Sequence, residues 1–192
     1  NMSFGKDMSP YKYLVDEAIQ YAQEKGVLLV HAAGNDANNI DKIKQYPTKI
    51  VNENTILDSW ITVGANSKSY NLQFAANFTN YGKNMVDIFA PGVRIKSLAP
   101  ENEYDIADGT SFSAPVVSGV AALVLSYYPE LTAKELKEII LSSALVYNDA
   151  KVYKPKEGFS LIKGKTKFQK LSKTGGIVSA YEALKLAEEK SK

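Results

Sequence analysis

The chain has 192 residues, of which 45% are hydrophobic and 23% are charged, and its formal net charge is +2. This size and balance are typical of one globular domain or most of a larger one, and the small net charge gives no reason to expect a nucleic-acid or membrane-surface partner. The lack of cysteine excludes disulfides, thiolate metal sites and cysteine nucleophiles. No apolar run reaches the ~18 residues of a membrane span, and the nearest candidate, 114–128, is typical of a buried core helix.

The first part of the chain predicts a helix followed by a buried strand. Ser9 and Pro10 form a favourable helix entry, with Ser as the N-cap and Pro at the first helical position. Apolar residues then recur at helical spacing as far as Gly26, which supplies the stop. The continuous apolar run 27–32 is typical of a strand in a parallel sheet that is covered on both faces.

Later segments continue this alternation of strands and helices. They are strand candidates at 60–65 and 85–90, an apolar helix from Ser111, a helix opened by the capping-box signature Thr132 to Glu135, and an amphipathic helix at 179–189. Alternating strands and helices predict an α/β layered fold.

Residues 148–175 carry an uneven charge, with eight lysines against two acidic residues. We interpret this segment as an insertion that contains a hairpin around Gly164. Because no aromatic-rich nucleic-acid motif lies beside it, a solvated face is the favoured interpretation.

The stretch 109–115 (Gly-Thr-Ser-Phe-Ser-Ala-Pro) presents Ser111 where the apolar helix begins. Backbone N–H groups have no intrahelical partner there, and the helix dipole favours negative charge at that end. A serine hydroxyl in that place can attack a carbonyl and leave the resulting oxyanion facing ready donors. The alternative is that Ser111 is simply an N-cap, since serine is among the preferred residues for that position.

Four segments together resemble the C-terminal half of a subtilisin-like serine protease. In the order of that family they are Asn1 to Gly5 (NMSFG), Ala32 to Asp36 (AAGND), Phe89 to Gly92 (FAPG) and Gly109 to Pro115 (GTSFSAP). The resemblance implies a partial doubly wound parallel sheet in three layers, α/β/α. It also implies that residues 1–192 are the C-terminal portion of one peptidase domain, with the lysine-rich segment inserted.

The resemblance implies roles for individual residues. Ser111 would be the nucleophile that forms the acyl-enzyme, and the side-chain amide of Asn35 would join the Ser111 N–H in the oxyanion hole. Ser3, Phe4 and Gly5 would lie along the substrate backbone, while Ala33 and Gly34 would form the opposite wall of the first specificity pocket. A turn residue is the alternative for Asn35, and ordinary loop packing is the alternative for the walls.

The bond between Tyr46 and Pro47 resembles a Tyr-Pro near the pocket base that is often cis in relatives. We therefore predict that Pro47 is cis, against a prior of ~5% for X–Pro bonds.

The chain departs from the family at the general base. The resemblance places the catalytic histidine upstream, after the acidic triad member, whereas His31 is the only histidine and lies in a predicted buried strand. We therefore expect His31 to be a core residue, and no aspartate matches a triad position. We expect the chain to be inactive on peptides, since losing the base costs ~10⁶-fold in subtilisin itself.

Some features of the resemblance stay open. Calcium is frequent in the family, and the segment 36–41 has suitable oxygen ligands, but these residues also crowd ordinary loops, so no metal residue is assigned. No cofactor is needed for the chemistry. A peptide or protein substrate and a secreted location are implied, with no nucleic acid and no membrane span.

Two other functions are considered. A sedolisin-type protease shares a similar Gly-Thr-Ser motif, but it would place an aspartate where this chain has Asn35. A pseudoprotease or protein-interaction module would keep the fold without the base. The chain opens at Asn1 without an initiator methionine, so we expect it to be a piece of a longer protein whose exposed sheet edge promotes self-association.

Overall fold

A computed structural model of the chain describes residues 1–6, 10–52, 55–156 and 164–191. In chain order, the described strands and helices are α1 (Lys12–Glu24), β1 (Leu29–Ala32), β2 (Ile50–Asn52), β3 (Thr55–Ile56), β4 (Trp60–Asn66), β5 (Ile88–Pro91), β6 (Ile95–Ala99), β7 (Glu103–Ala107), α2 (Thr110–Tyr127), α3 (Ala133–Ser142), β8 (Leu145–Val146), β9 (Lys151–Tyr153), β10 (Lys165–Lys167), β11 (Gly176–Ile177) and α4 (Ala180–Lys190).

The central sheet has five strands in the order β1-β4-β5-β11-β8. β1, β4, β5 and β11 run parallel, and only the edge strand β8 is antiparallel to its neighbour. Parallel strands buried on both faces explain why β4 is apolar and wholly buried along its length. The predicted α/β fold with a parallel sheet is confirmed, whereas the antiparallel edge was not predicted.

Both faces of the sheet are covered, which makes three layers. Residues that alternate along β4 point to opposite sides, so that Ile61 and Val63 pack under α2, α3 and α4. On the other face Trp60 packs with Ile19 of α1. The core between the sheet and helices α2, α3 and α4 holds many fully buried aliphatic side chains, and the burial of each contributes about 1.5–3 kcal/mol to stability.

Helix termini follow the local sequence in most cases. Thr132 caps α3 and forms the predicted capping box with Glu135, and Ser179 caps α4. Gly26 follows the end of α1 with φ +74°, a backbone conformation that glycine adopts without steric cost. The structure places Tyr11 at the N-cap of α1, and the predicted cap Ser9 lies outside the described residues.

The lysine-rich segment forms the predicted hairpin, since β9 and β10 pair in antiparallel register. Most of the loop between them lies outside the described residues, and every described lysine of the segment is exposed. The hairpin is also fixed to the core, because Val152 and Phe168 pack with Phe74 and Phe89.

Helix α2 is the one described helix that is long and apolar enough to cross a membrane, judged by length and composition alone. It packs against β1, β4 and β5 on one side and against α3 and α4 on another. This position in the core accounts for its apolar composition, and the predicted buried helix is confirmed.

Candidate active site

The helix that carries Ser111 begins two residues earlier than the N-cap interpretation requires. Thr110 is the first helical residue and Gly109 holds the N-cap position, without a side-chain cap. Ser111 is therefore the second residue of the helix, and its backbone N–H is one of those with no intrahelical acceptor. The alternative interpretation of Ser111 as the N-cap of this helix is therefore wrong.

Pro115, inside the first turns of α2, changes the bonding of Ser111. Proline has no N–H, so it cannot donate to the carbonyl of the residue four positions earlier, which is Ser111. That carbonyl instead accepts a hydrogen bond from the hydroxyl of Ser3 at 3.3 Å. The sequence of the helix thereby leaves a contact point for the N-terminal segment next to Ser111.

Gly109 shapes the space in front of Ser111. Its φ of 154° and ψ of 153° lie in a backbone region that residues other than glycine rarely adopt. A Cβ built on Gly109 would lie 3.6 Å from Asn35 Nδ2 and 3.7 Å from the Ser111 N. Two nitrogen atoms that carry N–H groups therefore lie close to the same point beside Gly109.

The side chain of Asn35 is held in one orientation by Thr110. Asn35 Oδ1 accepts hydrogen bonds from the Thr110 backbone N and from Thr110 Oγ1, both at 2.9 Å. Thr110 Oγ1 in turn accepts from the Gly34 N at 3.1 Å. Because the two bonds use the amide oxygen, Nδ2 of the exposed Asn35 is directed away from them as a donor.

Asn80 holds the loop that carries Asn35. Its Oδ1 accepts from the backbone N of Asp36 at 3.1 Å and of Asn38 at 2.8 Å, and its Nδ2 donates to the Ala33 carbonyl at 2.8 Å. The side chain is fully buried, so these bonds replace all contact with water. Gly34 has φ +98° here, and a Cβ would lie 2.4 Å from Asn80 Nδ2, which explains why this wall of the cavity is glycine.

The N-terminal segment forms the other wall. Met2 pairs with the outer edge of β1 through bonds to Val30 and Ala32, and Lys6 pairs with Tyr46 in both directions at 2.9 and 2.8 Å. The residues between them, Ser3 to Gly5, are exposed beside the start of α2. The bond between Tyr46 and Pro47 is cis, as predicted.

These pieces enclose a cavity of about 420 Å³. All the predicted site residues except Ala33 line it, and Ala33 lies immediately before Gly34 and holds the loop through its carbonyl. The structure thus brings together residues that are up to 108 positions apart in the chain.

Hydrogen bonds to the Phe89–Gly92 segment hold the turn at Gly109 in place. The Ser113 hydroxyl lies 3.0 Å from the Ala90 carbonyl and 3.2 Å from the Pro91 carbonyl, and Gly109 N donates to the Gly92 carbonyl at 2.8 Å. A Cβ on Gly92 would lie 2.2 Å from Ser113 Oγ, so the close approach requires glycine.

His31 is a core residue, as expected. It is 7% exposed, its ring lies 5.0 Å from that of Trp60, and its Nε2 is 2.8 Å from the Phe4 carbonyl. A carbonyl oxygen only accepts, so Nε2 carries the proton and donates. Burial lowers the pKa of His31 to about 4. Although it borders the cavity, His31 is a weak base that holds the N-terminal segment in place.

The two aspartates of the segment 36–41, where no metal residue was assigned, accept hydrogen bonds from N–H donors. Asp36 Oδ2 accepts from Gln45 Nε2 at 2.9 Å, and Asp41 Oδ1 accepts from the backbone N of Asn84 and Met85 at 3.0 and 2.8 Å. In the described part of the chain, no group of three or more acidic, histidine or cysteine side chains is placed to hold a metal ion.

Sequence reasoning missed two residues of this site, Thr110 and Asn80. Thr110 lies inside the serine motif and could have been examined as a buried hydroxyl next to the nucleophile. Asn80 follows no local pattern, and only its position beside the 33–38 loop in space reveals its contribution.

Comparison with known proteins places this geometry in a family. Residues 1–176 match the model of the subtilase family. The chain is 34% identical to subtilisin DY of Bacillus licheniformis over 154 residues, which cover 80% of the chain and 52% of that protein. It is 36% identical to the extracellular serine proteinase of a Thermus species over 149 residues, covering 77% of the chain and 31% of that protein.

Two solved structures have a similar backbone. The prenylagaramide maturation protease PagA gives a TM-score of 0.67 at 26% identity, covering 97% of this chain and 60% of that one. A cold-adapted subtilisin-like serine proteinase gives 0.64 at 31% identity, covering 86% and 52%. The chain spans about half the length of subtilisin DY and of the cold-adapted proteinase.

Proposed function

Because the chain belongs to the subtilase family, we propose that it is the C-terminal portion of one serine endopeptidase domain, with Ser111 as the nucleophile. The observation that carries the proposal is the convergence of Asn35 Nδ2 and Ser111 N on one volume beside Gly109. Relatives that are roughly twice as long as the matched region support the proposal that further segments complete the domain.

The proposed chemistry follows from that geometry. Ser111 Oγ attacks the carbonyl carbon of a peptide bond, and the carbonyl oxygen becomes negatively charged. The Ser111 N–H and Asn35 Nδ2 donate to this oxygen, while the dipole of α2 adds favourable potential at its N-terminus. Collapse of the tetrahedral intermediate breaks the C–N bond, and the proton that a general base has taken from the Ser111 hydroxyl passes to the leaving nitrogen. The acyl group left on Ser111 is then removed by water, which restores the hydroxyl.

Substrate binding is proposed for the two walls of the 420 Å³ cavity. Ser3, Phe4 and Gly5 lie on one side and Ala33 and Gly34 on the other, so a peptide backbone can run between them. Phe4 is 61% exposed and offers apolar contact area to a substrate side chain.

The general base is proposed to come from outside these 192 residues. His31 is the single histidine, and its Nε2 is bound to the Phe4 carbonyl. Four aspartates that match no triad position have other contacts. Asp16 pairs with Lys12 and Asp87 with Lys49, while Asp36 accepts from Gln45 and Asp108 from the Arg94 N. The isolated chain is therefore expected to leave peptide amides uncleaved, consistent with the ~10⁶-fold cost of losing the base in subtilisin.

An activated ester tests whether Ser111 is the nucleophile, because its leaving group does not have to be protonated through the missing general base. p-Nitrophenolate departs without a proton, so slow acylation of Ser111 should be detectable by intact mass and peptide mapping. Ser111→Ala should abolish the adduct, whereas Ser126→Ala, which removes an exposed serine on the same helix, should retain it. An adduct that survives Ser111→Ala would contradict the assignment.

Other properties of the whole protein are proposed by likeness. A secreted location is supported by the name of the extracellular Thermus relative. Self-association of the chain is supported by the position of β1 and Met2 at the edge of the sheet, where strand pairing can continue. A strictly monomeric profile in sedimentation velocity would contradict this last proposal.

A further inference from the structure

A second cavity, of about 350 Å³, has Asp108, the residue immediately before Gly109, in its lining. Its charged lining consists of Lys68, Arg94, Lys154 and Lys156 with a single carboxylate, Asp108. We call it the basic cavity. It shares no lining residue with the cavity at Ser111.

The basic cavity is tied directly to the reaction centre. Asp108 immediately precedes Gly109 in the chain, and its Oδ1 accepts a hydrogen bond from the Arg94 N at 2.6 Å. Phe78, another lining residue, accepts a hydrogen bond at its carbonyl from Ala37 N at 2.8 Å, in the loop that carries Asn35. The two cavities therefore flank the same turn.

The cations of the basic cavity are available to a ligand. Lys68, Arg94 and Lys154 are exposed, and none of them belongs to the ion pairs found among the described residues. Lys154 Nζ lies 5.4 Å from the centre of the Tyr81 ring. Asp108 is the one carboxylate among the described residues that line the cavity, and its Oδ1 accepts a hydrogen bond from the Arg94 N.

The lysine-rich hairpin supplies part of this charge. The Tyr153 N donates to the Leu72 carbonyl at 2.7 Å and the Lys156 N to the Asn77 carbonyl at 3.2 Å. These bonds hold the hairpin against the 67–78 segment and place Lys154 at the cavity. The lysine-rich hairpin thus contributes to a cavity whose lining includes Asp108, three residues before Ser111.

We propose that the basic cavity binds acidic side chains of the substrate on the leaving-group side of the cleaved bond. This rests on the proposed function. A peptide bound with its reacting carbonyl carbon at Ser111 extends from that point in two directions. The residues on the acyl side occupy the cavity between the N-terminal segment and Gly34. The other direction leads over Gly109 and Asp108 into the basic cavity, which holds one or two side chains rather than an extended polyanion.

Binding of short peptides to the 192-residue chain tests the cavity independently of catalysis. In isothermal titration calorimetry, Ala-Glu-Glu-Ala-amide should bind roughly fivefold more tightly than Ala-Gln-Gln-Ala-amide, as expected for a few partly exposed ion pairs. Arg94→Gln and Lys154→Gln should each reduce this preference. Lys185→Gln, an exposed lysine on α4, is the matched control and should preserve it.

Three results would overturn the proposal. They are equal affinity for the two peptides, a glutamate preference that survives both Arg94→Gln and Lys154→Gln, and tighter binding of decathymidylate that is weakened by those same variants. The last result would assign the basic cavity to nucleic acid.

Acyl transfer locates the peptide relative to Ser111. In a chain acylated on Ser111 by the activated ester, the amino group of an acceptor peptide attacks the acyl carbonyl. The new amide forms, the bond to Ser111 Oγ breaks, and the proton released by the amine restores the hydroxyl. Ala-Glu-Glu-Ala-amide should give severalfold more amide product than the glutamine peptide, and parity would overturn the leaving-side placement. Failure of acylation would refute the proposed function while the calorimetry still reports on the basic cavity.

Discussion

The two sides of Gly109 are built in different ways. On one side Asn35, Thr110 and Asn80 hold the site through hydrogen bonds of 2.8–3.1 Å, with Thr110 and Asn80 fully buried. On the other side the basic cavity presents long, exposed cationic side chains. Short buried bonds fix atomic positions, whereas exposed charges attract ligands over a distance but are screened by salt. The first side is suited to chemistry and the second to the choice of substrate.

The largest effect is expected at Asn35. Asn35→Ala should slow acylation of Ser111 by about 100- to 1,000-fold, the range measured for loss of such a donor in subtilisin. Asn35→Asp keeps an oxygen to accept from Thr110 but removes the Nδ2 donor, so it should be at least as slow while thermal stability is retained. Intact-mass measurements over time give the acylation rates of the variants, and melting curves give their thermal stability. A fast Asn35→Asp variant would show that Nδ2 does not contribute.

The next effect is a loss of stability in acid through His31. Its pKa is lowered to about 4 in the folded chain, from 6.5. The unfolded state therefore binds more protons between these values, and the free energy of unfolding should fall by about 3 kcal/mol as the pH falls through this window. Above the window the contribution is constant. Urea unfolding at a series of pH values measures the slope.

His31→Gln is the matched control for that slope. Glutamine can donate to the Phe4 carbonyl but does not titrate, so the slope between these pH values should flatten. An unchanged slope in this variant would assign the acid sensitivity to other groups.

A smaller effect is expected at Thr110. Thr110→Val removes the hydroxyl that bonds Asn35 and Gly34 but keeps the backbone N–H, so acylation of Ser111 should slow by about tenfold, the value of one or two hydrogen bonds. Thr110→Ser keeps the hydroxyl and should remain close to the parent rate. Equal rates for the valine and serine variants would show that the backbone bond alone orients Asn35.

The smallest expected effect is a difference in salt dependence between the basic cavity and the site at Ser111. Raising the ionic strength from about 0.02 M to about 0.5 M shortens the screening length severalfold. The preference of the basic cavity for the glutamate peptide should then fall towards unity, while the ratio of acylation rates between the parent chain and Asn35→Ala should stay constant. A salt-insensitive glutamate preference would mean that buried rather than exposed contacts recognise the peptide.

Much of the fold could be predicted from local sequence. The capping box of Thr132 and Glu135, the stop at Gly26 and the serine-bearing helix are encoded within a few residues, because each depends on backbone groups that are close in the chain. The ribbon of β6 and β7 was not predicted, since exposed strands with little apolar alternation carry a weak signal.

The sequence by itself determined which groups the proposed chemistry would use: a serine at the start of an apolar helix, an asparagine after a buried strand, and the order of the motifs that carry the resemblance. Tertiary structure alone decided how these groups are oriented. Thr110 turns the Asn35 amide, Asn80 holds its loop from 45 positions away, and the lysine-rich hairpin reaches the cavity beside Gly109. Such contacts join segments that are distant in the chain, and their geometry arises only when the layers pack around one core.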